Sequence, residues 1–428
     1  MTVAHTVVSF RDMDSTVRST TDGLYGLTKY PAKFIPQVVN FAVERAQLMR
    51  DANTNGLDSW CVTDPFAGTG TVAISAHLRH AQSELWDINP IMGHYQMAHK
   101  IVLASHTPPL HMALAIEKRL ATVRLLQTSL PQPTDSLDYL SSWYHPAVFK
   151  IITYLWSVYF DCNAEERALL LMPLLRLANK WSYNDLQRQK LCRSKRKHSQ
   201  IALWIEKLDW EQRLLRELSS YVTDAASRYT THKTAAPWVF NPITRIVSPN
   251  PQEQLEDGTG DVVITSPPYL QAQEYIRASK LSLLWLGHSL DEIRARMRLE
   301  IPYGISRHDQ NVASPMFSHI HSFYERTEDS NALRVLESYF TNTLAVLESA
   351  TANAKELYLF VGSAGLHGTS IPLDVMFAEH FVNGLGWKHS TTLSDTIVAK
   401  TLFKSAINPA TGRSDQRMST EQLVVLVR

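Results

Sequence analysis

The apolar positions of this chain fall into alternating short runs and long helical spacings. Val262-Val263-Ile264 is an uninterrupted β-branched run, as expected of a strand buried on both faces. It ends in Thr265-Ser266-Pro267-Pro268-Tyr269, where two prolines stop the strand and stiffen the loop after it. A helix is predicted from Gln37 to Arg50, with Val38, Val39, Phe41, Ala42, Ala46 and Leu48 on one broad face. Trp60 to Leu78 reads as strand, glycine turn, helix, and Ser83 to Asp87 as a second strand. Together they form a β-α-β unit. Ile243–Val247, Leu357–Gly362 and Gln422–Val427 supply further strands, with helices over Gln271–Gly287, Asn331–Ser349 and Val375–Leu385. The segments around Ser390–Lys400 and Gln422–Val427 are expected to pair as an antiparallel hairpin.

Alternation is lost between Pro108 and Pro237. Helical stretches replace it at Leu110–Leu130, Ala147–Phe160, Glu165–Ala178 and Ile201–Val222. This is the pattern of an α/β chain whose mostly parallel, doubly wound sheet carries a large helical insertion. Residues 1–107 and 241–428 form the sheet-bearing parts, and 108–240 the insertion. Residues 1–22 are polar and read as a loose arm.

Composition changes this picture little. The chain has 428 residues, is 44% apolar and 19% charged, and carries a net charge of +1. That argues against global disorder and says nothing about nucleic acid, so any basic face must be local. Its three cysteines are far apart, which argues against a disulfide scaffold or a cysteine-rich zinc site. Seventeen histidines show no paired metal-binding spacing. No signal peptide or bilayer-length apolar run is present, so a cytoplasmic location is expected. Charge matters only locally. From 176 to 216 there are eleven Lys or Arg against four Asp or Glu. Within it, Arg188, Lys190, Arg193, Lys195, Arg196 and Lys197 form a run without an acid, as a phosphate-backbone contact needs.

Candidate chemistry lies in the loops after the strands. Ser266 and a rigid Pro267-Pro268 carbonyl offer acceptors for an exocyclic amino group, and Tyr269 offers a stacking face. In open α/β sheets, ligands bind at such carboxyl ends. Asp64-Pro65-Phe66-Ala67-Gly68-Thr69-Gly70-Thr71 is the second candidate loop, since glycine lets a backbone approach a ligand closely. Gly68 to Ala73 also fits the loose dinucleotide fingerprint. Asp87, at the tip of the second strand, is placed to bond ribose hydroxyls, with Glu84 as the alternative.

Thr265-Ser266-Pro267-Pro268-Tyr269 resembles the catalytic motif of DNA methyltransferases that methylate exocyclic amino groups. Asp64-Pro65-Phe66-x-Gly68-x-Gly70-Thr71 resembles the S-adenosylmethionine (AdoMet) loop of the same family. Tyr30-Pro31-Ala32-Lys33-Phe34 resembles the segment preceding that loop. The resemblance covers roughly 24–105 and 240–428. It implies a Rossmann-like class I methyltransferase fold and methyl transfer from AdoMet to N4 of cytosine, or to N6 of adenine, in double-stranded DNA. It further implies catalytic roles for Ser266, Pro267, Pro268 and Tyr269. Tyr30, Lys33, Phe34, the loop 64–71, Asp87, Ile88, Ser248 and Thr265 would hold AdoMet. A cognate restriction enzyme or another defence-system protein is the partner class to look for. Two departures stand out: the insertion lies between the second and third strands, and the usual acid after the third strand is missing, with Ser248 or Asn250 as its stand-in or packing alone holding the adenine. An RNA methyltransferase, an NAD-dependent oxidoreductase and a catalytically inactive DNA-binding protein are the alternatives.

Overall fold

The computed structural model describes residues 5–14, 16–28, 30, 33–51, 60–122, 134–188, 190–249, 253–270, 274–301, 304–307, 309–362, 364–396 and 420–428. Pro31, Ala32, Asn250 and Gln271, singled out in the sequence, lie outside the described residues, as do 123–130 of one expected helix and 397–400 of the expected hairpin.

In chain order, β1 (His5–Val8), α1 (Phe10–Met13), a 3-10 turn at Gly23–Leu27 and α2 (Pro36–Asp51) precede β2 (Cys61–Asp64). Then come α3 (Thr71–His77), β3 (Gln82–Asp87) and α4 (Ile91–Ala104). The helices α5 (Pro109–Thr122), α6 (Thr134–Ser141), α7 (Pro146–Asp161), α8 (Ala164–Lys180), α9 (Lys195–Ile205) and α10 (Trp210–Ala235) follow before the next strand. The sheet resumes with β4 (Ile243–Ile246) and β5 (Val262–Thr265), then α11 (Tyr275–Trp285), α12 (Leu290–Met297), α13 (Pro315–Arg326) and α14 (Ser330–Ala350). The chain closes with β6 (Glu356–Gly362), a small hairpin of β7 (Ala364–Leu366) and β8 (Thr369–Ile371), α15 (Leu373–Leu385), β9 (Lys388–Thr396) and β10 (Thr420–Val427).

The main sheet has the order β1-β9-β10-β6-β5-β2-β3-β4. All its pairs are parallel except those of β10, which runs antiparallel to β6 and to β9. This is a Rossmann-like α/β fold. From β2 the chain steps outward through β3 to β4. It then returns to β5 on the other side of β2 and steps outward the other way. The switch point therefore lies between β2 and β5, where Val62 pairs with Val262 and Thr63 with Val263.

Alternating side chains of the central strands feed two cores. Val262, Ile264, Tyr358 and Phe360 face α2 and α3, with Val38, Val39, Ala42 and Val72 packed on them. Val263, Leu357 and Leu359 face α14 and α15. Every residue of β5 is buried, which accounts for its unbroken apolar sequence. A third cluster joins the helices α5–α10 to α4 and α11 around Leu85, Trp156, Trp181 and Trp285. Its α8 starts at a reciprocal cap, in which Asn163 Oδ1 accepts from Glu166 N (2.8 Å) and Glu166 Oε2 accepts from Asn163 N (3.3 Å).

Two expectations change. Residues 5–14 of the expected loose arm are docked: β1 pairs in parallel with β9, and Phe10 is completely buried against Phe41 and Phe360. One aromatic anchor in a polar stretch was enough to dock it. The helix expected over Ile201–Val222 is two helices, broken at residues 206–209, so that Ile201 and Leu214 both reach the same core. A second reciprocal cap, between Ser289 and Glu292, starts α12.

Candidate active site

The loops that leave β2 and β5 face each other across one solvent-open cleft of about 910 Å³. One wall is the glycine turn, with Pro65, Phe66, Ala67, Gly68, Thr69 and Thr71. The facing wall is Ser266, Pro267, Pro268 and Tyr269. Tyr30, Lys33 and Phe34 close one end, while Asp87 and Ile88 stand at the tip of β3. The structure thus brings together most of the candidates chosen from the sequence.

The glycine turn is shaped by its backbone. Gly68 and Gly70 have φ of +55° and +78°, a region that L side chains rarely adopt. A Cβ on Gly68 would stand 3.2 Å from the Tyr30 ring. Asp87 fixes the turn from the neighbouring strand: its Oδ2 accepts from Gly68 N (2.7 Å) and its Oδ1 from Asn89 N (2.8 Å). Burial pushes the Asp87 carboxyl up to about 6, against the pull of those N–H groups. Tyr30 stacks on Tyr275 with ring centroids 5.8 Å apart, and its hydroxyl accepts from Asn89 Nδ2 at 3.4 Å. Lys33 donates to the carbonyls of Tyr25 and Thr28, and burial pushes its amine down to about 8.

On the facing wall, the Tyr269 hydroxyl donates to Glu421 Oε1 of β10 at 3.1 Å, which sets the ring's position. Burial raises both groups, the tyrosine strongly.

Four candidates stand behind the walls. Asp64 is 1% exposed, and its Oδ1 accepts from Thr265 Oγ1 (2.7 Å) and Phe66 N (3.1 Å). It braces two loops rather than facing the cleft, and burial pushes its carboxyl up to about 7. Thr265 is turned toward Asp64 for the same reason. Gly70 backs onto the Gln96 side chain. Ser248 is buried while its neighbours Val247 and Pro249 line the cleft. Glu84, the alternative ribose ligand, is corrected outright. It is fully buried and accepts from Thr259 N (2.8 Å) and Trp86 Nε1 (3.0 Å), with Arg245 Nε at 2.9 Å. Burial opposes its ionisation, but these partners outweigh it and hold the carboxyl below its ordinary range.

Sequence reasoning missed Tyr275, Leu299, Glu300, Ile301 and Val346, which also line the cleft. Glu300 is the most consequential. It is 3% exposed, accepts from Ile276 N at 2.8 Å, and burial pushes its carboxyl up to about 8. Its signal was faint: an acid between Leu299 and Ile301.

The basic run divides. Arg188, Lys190 and Lys197 line a second, open groove. Arg193 instead donates to Ser142 O (2.9 Å) and Oγ (2.7 Å) and lies over the Trp143 ring. Lys195 and Arg196 are exposed at the start of α9, outside that groove. Among the described residues no helix is long and apolar enough to cross a membrane.

The residues of the first cleft fit AdoMet by their chemistry. A carboxylate at the tip of β3 suits a ribose diol, flat apolar walls at Phe66, Ile88 and Val247 suit an adenine, and a side-chain-free turn at Gly68 admits the cofactor's backbone-hugging chain. No family model and no solved structure matches the chain significantly. It is 23% identical over 389 residues to the Type II methyltransferase M.MvaI of Kocuria varians, a similarity spanning 82% of this chain and 79% of that protein.

Proposed function

We propose that this protein is an AdoMet-dependent DNA methyltransferase acting on an exocyclic amino group, with N4 of cytosine preferred over N6 of adenine. The observation that carries the reading is the shared cleft. The glycine turn after β2 and Ser266–Tyr269 after β5 face each other at the sheet's switch point. Similarity to a Type II methyltransferase along most of the chain supports it.

Bound AdoMet would supply an electrophilic methyl group on a sulfonium sulfur that leaves as a neutral thioether. Asp87 holds the ribose hydroxyls, and Phe66, Ile88 and Val247 pack the adenine. The target base leaves the duplex, because its amino nitrogen is otherwise unreachable in line. The Tyr269 ring stacks on it. Ser266 Oγ and the Pro267 carbonyl accept the amino hydrogens and orient the nitrogen lone pair. As the N–C bond forms and the S–C bond breaks, the nitrogen would release one of these protons to water at the open cleft. Acceleration then comes from positioning and electrostatics, with no covalent enzyme–base intermediate. The helices of 108–240 form the candidate recognition part.

The test uses purified protein, AdoMet and mixed-sequence duplex DNA, followed by digestion and mass spectrometry of the nucleosides. N4-methylcytosine is the expected product. N6-methyladenine keeps the mechanism and changes the base. Methylation of RNA alone, or of neither polymer, overturns the proposal.

A further inference from the structure

A second groove of about 2310 Å³ opens between α8, α9, α10 and α11. It shares Tyr30 with the cofactor cleft, so the two sites adjoin at that residue. Six cationic side chains line it: Arg176, Lys180, Arg188, Lys190, Lys197 and Arg228. Among the described residues, no Asp or Glu does. In a chain with 42 basic and 41 acidic residues, this one-sided wall is a local feature. We propose that the groove seats the phosphodiester backbone of the duplex flanking the target base. This inference rests on the DNA substrate proposed above.

Five of the six cations are held by neighbouring acids. Lys180 pairs with Glu217 at 3.0 Å, Lys190 with Glu274 at 3.3 Å, and Arg228 with Asp224 at 3.0 Å. Arg176 lies over the Tyr221 ring at 4.0 Å. Arg176 also stands 3.9 Å from Asp224 and Arg188 3.6 Å from Asp185, so these contacts fix the positive groups while offsetting part of their charge. Lys197 lies over Trp204, 4.7 Å from the ring centroid. Burial first, then Lys180 and Arg213, hold its amine below the ordinary lysine range. A phosphate between these cations relieves their repulsion and releases counterions. The amides of Gln187 and Gln200 also line the groove, whereas the Asn179 amide donates to Leu175 O and Ser282 Oγ. The donor–acceptor pairs of the two glutamines suit base edges better than the carboxylates of an acidic peptide.

The location also separates this groove from a diffuse basic surface. Lys195 and Arg196 belong to the same sequence run but lie outside it.

The test compares the intact protein with Arg176→Gln/Lys197→Gln and with the charge-matched Lys195→Gln/Arg196→Gln. Duplex affinity is measured across a salt series, beside AdoMet affinity and steady-state methylation. The groove pair is expected to weaken duplex binding about tenfold and to reduce the salt slope by about two, roughly one per phosphate contact. It should raise KM for DNA while kcat and AdoMet affinity hold. The control pair should change the slope less. Partial recovery of affinity and of about one unit of slope in Arg176→Gln/Lys197→Arg, which restores one charge, separates lost charge from misfolding. Wild-type salt slope and affinity in the groove pair, with methylation intact, would overturn the groove assignment alone. Displacement of duplex from the groove by an acidic peptide at lower concentration than by DNA would overturn it too. If the unaltered protein neither binds nor methylates DNA, the functional reading fails first, and the groove assignment with it.

Discussion

Thr265 Oγ1 donates a 2.7 Å hydrogen bond to Asp64 Oδ1, joining the last residues of two neighbouring parallel strands. Both side chains are buried, at 0% and 1% exposure. The loops leaving those strands carry the two candidate motifs. The bond therefore sets the spacing between the proposed cofactor and catalytic walls from beneath.

The electrostatics of this brace give a stability prediction. Burial raises the folded-state pKa of Asp64 from 3.8 to about 7. Its contribution to stability is therefore fully present below about pH 4 and is lost as pH rises through 7. Across that window the slope is about 1.4 kcal/mol per pH unit. Asp87 and Glu300, raised to about 6 and about 8, act with the same sign. Asp64→Asn keeps an oxygen for Thr265 but cannot ionise. Urea denaturation between pH 5 and 8 should show a flatter pH dependence in this variant. Equal slopes would mean that Asp64 does not titrate as its burial requires.

The catalytic wall should fail without disturbing the cofactor wall. Ser266→Ala and Tyr269→Ala are expected to lower kcat by about 100-fold or more, as when a preorganised transition-state partner is removed. AdoMet affinity should survive in both. Tyr269→Phe keeps the ring and loses only the bond to Glu421, so it should retain most of the rate. Loss of AdoMet binding in both alanine variants would reassign the loop from catalysis to cofactor holding.

Gly68 tests the opposite wall. Its φ of +55° places an alanine in the left-handed region, at a cost of roughly 1–2 kcal/mol. The added Cβ also meets the Tyr30 ring at 3.2 Å. Gly68→Ala should weaken AdoMet binding about tenfold, equivalent to about 1.4 kcal/mol, with kcat at saturating AdoMet little changed. Isothermal titration calorimetry and a kinetic series in AdoMet distinguish this from a catalytic defect.

The central scaffold was legible because buried parallel strands and their terminal loops have strong local signatures. Val262 to Thr265 and Gly68 to Gly70 are such cases: continuous burial demands apolar residues, and a tight turn demands glycine. What was illegible depends on long-range pairing. Glu84 and Asp87 lie on one strand and look alike in sequence. Only Arg245 and Thr259, far along the chain, show that Glu84 is consumed by the fold while Asp87 reaches the cleft. Phe10 and the N-terminal strand were hidden similarly, since their partners Phe360 and β9 come from the other end of the chain. The basic run shows the same limit. Composition marked it, but the fold turns Arg193 toward Trp143 and recruits Arg176 and Arg228 from separate helices.

Glu300 offers the sharpest check on the cofactor assignment. Its carboxyl lines the cleft and is held at about 8 by burial, so the neutral form predominates at pH 7 in the free protein. AdoMet carries a net charge of +1 from its sulfonium, ammonium and carboxylate. A cation in the cleft favours the ionised carboxylate and lowers its pKa. Binding should therefore release protons near pH 7, and AdoMet affinity should rise with pH until it levels off above 8. Glu300→Gln keeps a side-chain oxygen for Ile276 N but removes the titration. Calorimetry in buffers of different ionisation enthalpy should find less proton release in this variant and a flatter affinity profile between pH 6.5 and 8.5. An unchanged profile would place the cofactor's positive groups away from Glu300 and at the Asp87 end of the cleft.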